Sequence, residues 1–327
     1  MIDGSVHAIT GGGDLHNARA GTIRKHFKIA LALKVPIFFV ISNLDLCSQK
    51  IMDRTVRQVV RVLKLPECSN VPMVVGSTDD AVKAAQQFVQ IPSIAPIFIL
   101  SSKTGKGLDS LKAFLKMLSP LSDSHEQEGL IQQFTEFAVD EIYRVRDVGT
   151  VVEGTLYSGI CREGDHLIVG PGDSGQFQDL TIKSIQRNHS GCLNIWPGQA
   201  ATLALADFDR SFLRKGMVIC SPEMNTTICW RFEAEIVLLF HAKTFHKGFQ
   251  VTVHIGNVRQ TATVEAVYGK EELRTGEKAV VCFKFTKHPE NVKVGAKVLF
   301  IEGEPKGIGN VTKLQPISQY QPSHSDD

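Results

Sequence analysis

Apolar positions in the first third of the chain switch between two periods. Ile23, Phe27, Ala30 and Leu31, with Lys34, fall on one helical face that Thr22 can cap. Pro36 then punctuates, and Ile37-Phe38-Phe39-Val40-Ile41 is a continuous apolar run of the kind found in strands buried on both faces. A helix follows with Met52, Val56, Val59, Val60 and Leu63 on one side, then a strand Val71 to Val75 and a helix near Asp79 to Phe88. A strand Ile97 to Leu100 and a helix carrying Leu108, Leu111, Phe114, Leu115 and Leu118 close the series. Strands alternating with helices predict a parallel sheet with crossover helices. Ahead of this block, residues 1–20 show neither period, and three consecutive glycines favour a loop.

Near residue 130 the pattern changes. Short strands now alternate with Gly, Pro, Asp and Asn turns, as in "GTVVEGTLYSG", "DHLIVGP", "LTIKSIQR", "AATLALAD" and "GMVICSP". A second series begins near Trp230 with "FEAEIVLLF", "FQVTVHIG", "RQTATVEAVYG", "KAVVCFKF" and "AKVLFIEG". Regular short strands of this kind predict β-barrels or sandwiches. "SDSHEQEG" (122–129) and "SPEMNTT" (221–227) read as linkers, and "SQYQPSHSDD" as a disordered tail.

Composition adds limits rather than direction. At 327 residues, 43% apolar and 21% charged, the chain can build two or three ordinary cores. A formal net charge of +2 leaves any RNA contact to local patches. Seven cysteines, an odd count with no C-x-x-C pair, fit free thiols in a reducing, cytoplasmic setting. No signal peptide pattern and no apolar run approaching 18 residues is present.

Specific residues carry a resemblance. "DEIYRVRDVGTVVEGTLYSGICREGDHLIVGP" (140–171), with Gly149-Thr150-Val151-Val152, Gly154, Gly159-Ile160 and Gly164-Asp165, resembles the second domain of elongation factor Tu-like translational GTPases. "LRKGMVICSP" resembles that domain's closing strand, and "LRTGEKAVVCFKF" and "IEGEPKGIGNVTKL" resemble the third domain. "ALALKVP" and "SPEMNTTICWRFEAEIVLLFHAKTFHKGFQVTVHIGNVRQTA" are similar to the GTP-binding protein 1 and 2 subfamily. The resemblance covers about residues 21–316. It implies the C-terminal half of a P-loop-type GTPase domain followed by two β-barrels, an α/β plus all-β chain. The expected layout is an unstructured leader (1–20), a partial GTPase domain (21–121), barrels over 130–222 and 229–316, and a tail from 317.

Within that frame "ISNLDL" resembles the Asn/Thr-Lys-x-Asp loop with which GTPases read guanine. Such a reader needs an aspartate whose two oxygens accept from the ring N–H and the exocyclic amine. Asp45 stands at that position, Ser42 at the Asn/Thr position, and Asn43 replaces the lysine whose stem covers the ring. The same residues are ordinary turn formers, but they end a buried strand, where open α/β sheets place ligands. Ser101-Ser102-Lys103, ending another strand, resembles the Ser-Ala-Lys loop whose backbone N–H meets the guanine carbonyl.

Phosphate binding in this family uses Gly-x4-Gly-Lys-Ser/Thr, because backbone N–H groups and a lysine must surround the anion. No such run occurs in these 327 residues, and the glycines of "ITGGGDLHNARAGT" are not followed by Lys-Ser/Thr. The magnesium-binding threonine loop and the Asp-x-x-Gly switch have no counterpart, and His16 lacks that switch's context. Phosphoryl transfer is nearly all positioning and electrostatics by these parts, so the chain is expected to be N-terminally shortened, to hold GTP or GDP weakly if at all, and not to hydrolyse GTP by itself. The resemblance implies a monomer working on ribosomes or tRNA, with Mg2+ as cofactor in full-length members and no membrane or DNA partner. A nucleotide-independent ribosome- or tRNA-binding barrel module and a partial gene product are the alternatives.

Surface features stay ambiguous. His241 and His246 are five apart without a third ligand, which disfavours metal. Lys243, His246 and Lys247, and Arg187 with His189, suit RNA phosphate or a solvated face. Ile301 stands where the third domain of these factors usually shows arginine, which weakens any carried-over tRNA contact.

Overall fold

The computed structural model describes residues 2–3, 30, 35–64, 70–91, 93–118, 124–239, 245–302 and 304–317. The chain divides into two compact units, Met1–Leu121 and Ser122–Asp327. The helix expected over 22–34, apart from residue 30, and the tail beyond Ile317 lie outside the described residues.

In the first unit, strands β1 (Ile2–Asp3), β2 (Phe39–Ser42), β3 (Val71–Val75) and β4 (Ile94–Ile99) form one parallel sheet in the order β1-β2-β4-β3. Helices α1 (Gln49–Leu63), α2 (Thr78–Gln90) and α3 (Leu108–Met117) cross over it. β4 lies inside because it is apolar on both faces. Its Ile97 joins Ile41 and the α1 residues Met52, Val59 and Leu63, while Phe98 joins Ala81, Ala84 and Phe88 of α2 and Phe114 of α3. Four phenylalanines, Phe38, Phe88, Phe98 and Phe114, meet with ring centroids 5.0–6.2 Å apart. Ser77 caps α2, its Oγ accepting from Asp80 N at 3.1 Å. β1 corrects the expectation of an unstructured leader: Ile2–Asp3 pair with Ile41–Ser42. An edge strand's free backbone groups favour such an addition. The rest of that leader is outside the described residues.

The second unit opens with α4 (Ser124–Ile131), a helix where the sequence reading has a linker. Its only apolar residues, Leu130 and Ile131, sit together at its end, so no helical period announces it. Six strands follow: β5 (Glu136–Val145), β6 (Gly149–Ser158), β7 (His166–Gly170), β8 (Gln178–Arg187), β9 (Ala200–Leu205) and β10 (Val218–Cys220). They run antiparallel in the cycle β8-β9-β6-β5-β10-β7 and back to β8, a closed barrel. A second closed barrel uses β11 (Ile228–Leu238), β12 (Gln250–Ile255), β13 (Val258–Val267), β14 (Lys278–Phe285), β15 (Lys297–Glu302) and β16 (Glu304–Pro316), in the cycle β14-β13-β12-β15-β16-β11. Period-two patterning explains each barrel. On β11, Phe232, Ala234, Ile236 and Leu238 fill the interior while Glu233 and Glu235 alternate with them. Gly154 marks the tightest crossing, where an added Cβ would lie 1.9 Å from Ala138 O. Cys161, Cys220 and Cys229 are buried thiols, each pushed up to about 12 by burial.

The two barrels meet across a polar seam. Arg214, 18% exposed, places Nη1 2.9 Å from Glu290 Oε1 and 2.8 Å from Oε2, and its Nη2 donates to Pro171 O and Pro289 O. Gln260 Nε2 donates to the same carboxylate at 2.6 Å, and its Oε1 accepts from Lys287 N and His288 N. Beside this network Phe177, Val218, Cys220 and Ile228 form a small apolar cluster. Burial pushes the Glu290 carboxyl up to about 7, against the pull of Arg214 and Gln260. Glu290 therefore holds its proton more firmly folded than unfolded. Its contribution to stability is full below about 4.5 and is lost as pH rises through about 7. His254, held down by burial and Arg259, acts the other way near pH 6.5 and below, so the useful comparison is between two proteins. We expect Glu290→Gln to remove a fall of about 3 kcal/mol in unit-2 stability between pH 5 and 8. Denaturant unfolding followed by fluorescence of Trp196 and Trp230, both in that unit, reads this. Parallel curves for the two proteins would contradict it.

Candidate functional site

The parallel register aligns Phe39 with Ile97, Val40 with Phe98 and Ile41 with Ile99, so the loops leaving β2 and β4 emerge side by side at the carboxyl edge of the sheet. Two further backbone bonds bind them together: Leu100 N donates to Ile41 O at 2.9 Å, and Leu44 N to Leu100 O at 3.2 Å. In the first loop Asn43 adopts a left-handed conformation (φ 62°), followed by a single 3-10 turn, Leu44–Leu46. Asparagine tolerates that backbone better than most residues. The Cys47 thiol donates to Asn43 O and steadies the turn.

Ser101 ties the loops together. Its hydroxyl, on a residue only 1% exposed, donates to Asp45 Oδ1 and accepts from Thr104 N at 3.2 Å. Its backbone is equally committed: Ser101 N donates to Lys106 O, and Ser101 O accepts from Gly105 N. The Ser101 hydrogen bond, with a smaller contribution from the nearby Lys103 ammonium, holds the Asp45 carboxyl below its ordinary value. At neutral pH Asp45 is thus an exposed, ionised, acceptor-only group held at the end of the sheet.

Of the six residues singled out in the sequence, the structure gathers Asp45, Ser101 and Lys103. Ser102 is exposed on the same turn, Asn43 is half-buried, and Ser42 is 7% exposed at the strand end. Sequence reasoning missed Gly107, whose φ is 80° and where an added Cβ would lie 2.2 Å from Ile99 O. The spacing Gly105-Lys106-Gly107, with both glycines at positive φ, was the available signal. Among the described residues no group of His, Cys, Asp and Glu could hold a metal ion.

On the second unit, Arg187 and His189 are exposed at a turn whose His189 has φ 63°. His246 and Lys247 are exposed, while His241 and Lys243 lie outside the described residues. Ile301 is half-buried on β15, opposite Thr252. No helix among the described residues is long and apolar enough to cross a membrane.

Gly107→Ala tests the site's scaffold. Strain at positive φ together with the clash on Ile99 O should lower first-unit stability by about 2 kcal/mol or more. Amide exchange at Gly105 and Leu108 should rise with it, and unchanged exchange there would argue against Gly107 as the loop's anchor.

Comparison with known proteins bears on both units. Residues 149–220, most of the first barrel, match the family model described as elongation factor Tu domain 2. The chain is 66% identical over 299 residues to GTP-binding protein 2 of Homo sapiens, covering 91% of this chain and 50% of that protein. It is 40% identical over 305 residues to GTP-binding protein 1 of Xenopus laevis, covering 93% and 46%. Among solved structures it resembles translation elongation factor SelB of Methanococcus maripaludis, apo form. That match has a TM-score of 0.66 at 19% identity, over 91% of this chain and 62% of that one. The chain thus spans about half the length of the curated relatives it matches.

Proposed function

The chain belongs to the elongation factor Tu-like translational GTPase family, and we propose that its first unit supplies the base-reading half of a guanine-nucleotide site. The observation that carries this reading is the ionised Asp45 carboxylate fixed by buried Ser101 at the carboxyl end of two adjacent parallel strands. A carboxylate so held accepts from both the ring N–H and the exocyclic amine of guanine. Ser101 N is already bonded to Lys106 O, which leaves the backbone N–H groups of Ser102 and Lys103 on the same turn to meet the guanine carbonyl, with Lys103 adding positive charge near Asp45. Ser42 and Asn43 complete the loop without the lysine stem that would cover the ring.

The reading extends to the whole family member: GTP or GDP with Mg2+ as its nucleotide, GTP hydrolysis as its reaction, and the ribosome or tRNA as its partner in the cytoplasm. The 327 residues themselves contain no Gly-x4-Gly-Lys-Ser/Thr run. With the base edge read and no lysine-bearing loop around the phosphates, binding is weak and this chain does not hydrolyse GTP.

The test exploits hydrogen-bond polarity. Asp45→Asn replaces one acceptor with a donor, which matches xanthine's N–H and carbonyl and mismatches guanine. Isothermal titration or NMR shift mapping should show guanosine and GDP binding weakened at least tenfold and xanthosine binding gained. Identical guanosine and adenosine affinities in the unmodified chain would overturn the assignment.

A second reading is favoured by the complete closure of both barrels. They could dock on RNA without nucleotide, with Arg187, His189, His246 and Lys247 as candidate phosphate contacts. Ribosome cosedimentation that is unaffected by GTP and by Asp45→Asn would favour it.

A further inference from the structure

The seam between the barrels encloses a cleft of about 420 Å3. Ala138 and Met217 of the first barrel and Ile255 and Val258 of the second give it an apolar lining, and α4 contributes Leu130. A cavity of this size at the junction of two rigid bodies, mostly apolar with a few polar groups, is the usual form of a ligand site. One of its polar groups is incompletely satisfied. Glu136 lines the cleft and is only 6% exposed, and its Oε2 accepts from the Lys293 ammonium. Lys293 is the one donor recorded on this carboxylate among the described residues, and it engages Oε2. Lys293 itself is 59% exposed and reaches in from the rim.

The charge around the cleft points the same way. The Asp140 carboxyl, whose Oδ1 accepts from Asn257 of the lining, is raised by burial and then by its neighbours Glu153 and Glu141. Tyr157, which also lines the cleft, has its phenol raised by burial and then by Asp140 and Glu136, so the negative potential of both carboxylates reaches the cavity. Two ammonium groups, Lys293 on Glu136 and Lys215 on Glu141, offset only part of this.

We propose that the cleft binds an organic cation, an ammonium or guanidinium group on an apolar body, with the charged head on Glu136 and the body on the Met217–Val258 lining. A buried carboxylate with an open acceptor site is strongly selective for a charged donor. The apolar walls require a body that gains from leaving water. Lys293 is an intramolecular competitor: its ammonium occupies part of the position the ligand's head would take. This proposal is independent of the guanine reading, which concerns the other unit.

The probes are 1-naphthylmethylamine for a free small cation and N-acetyl-lysine methylamide for a polypeptide side chain, titrated into the full chain at neutral pH. Neutral 1-naphthylmethanol and anionic 1-naphthylacetate serve as matched controls. At least one cationic probe should bind saturably, at least tenfold tighter than the neutral control, and which one binds identifies the source. Glu136→Gln should weaken it at least tenfold, and Lys293→Met, which leaves Glu136 in place, should tighten it severalfold. Thermal melts confirm that both variants are folded. Equal binding of cation, neutral and anion, no binding of either cation, or insensitivity to Lys293→Met would each overturn the proposal.

Discussion

The first unit depends on the Ser101 hydroxyl, which serves two loops at once. It donates to Asp45 across the β2–β4 junction and accepts from the backbone of its own turn at Thr104. The geometry exists only because β2 and β4 are parallel neighbours in one register; a slip of one residue would exchange the faces of Ile97 and Phe98 and undo both cores. Packing therefore sets the register, the register sets the loop junction, and the junction sets the charge state and direction of Asp45.

On the proposed reading, that chain of causes suits recognition of a base rather than the holding of phosphates. Recognition of a purine edge needs a few directed hydrogen bonds, which two strand-end loops can present. Holding a triphosphate needs converging N–H donors and a cation around a concentrated negative charge. Nothing in Ser42–Asp45 or Ser101–Lys103 substitutes for that cradle. The relatives matched here are about twice as long as this chain.

Much of this architecture was legible in the sequence where contacts are local or periodic. Strand β2, helices α1 to α3 and the two series of short strands follow from apolar period and turn residues, while the choice of barrels over sandwiches and the position of Asp45 came from the family resemblance. The rest depends on contacts between distant residues. Arg214 and Glu290 are 76 positions apart, and no local pattern marks their pairing. Ser101 and Ser102 are equivalent in sequence; the turn closed by Gly105 and Gly107 decides which one is buried. Helix α4 escaped because its apolar residues sit together at its end. Asn43 gains an explanation that sequence alone could not supply. Its backbone is left-handed, a conformation asparagine accepts readily, so the position suits the turn even as it lacks a lysine's stem.

The seam between the barrels shows how two carboxylates in one interface can differ in purpose. Glu290 accepts from Arg214 and Gln260, one donor from each barrel, and these bonds tie the two barrels together. Buried pairs of this kind add little net stability over apolar packing, but breaking one partner leaves an uncompensated charge, so they enforce a single arrangement. Glu136 is buried nearly as deeply but has one ammonium, drawn in from the rim, and an oxygen left over beside a cavity. In the proposed reading the Arg214–Glu290 contact joins the two barrels that supply the walls of the cleft, so the Glu136 carboxylate would meet a cation between walls held together by that pair.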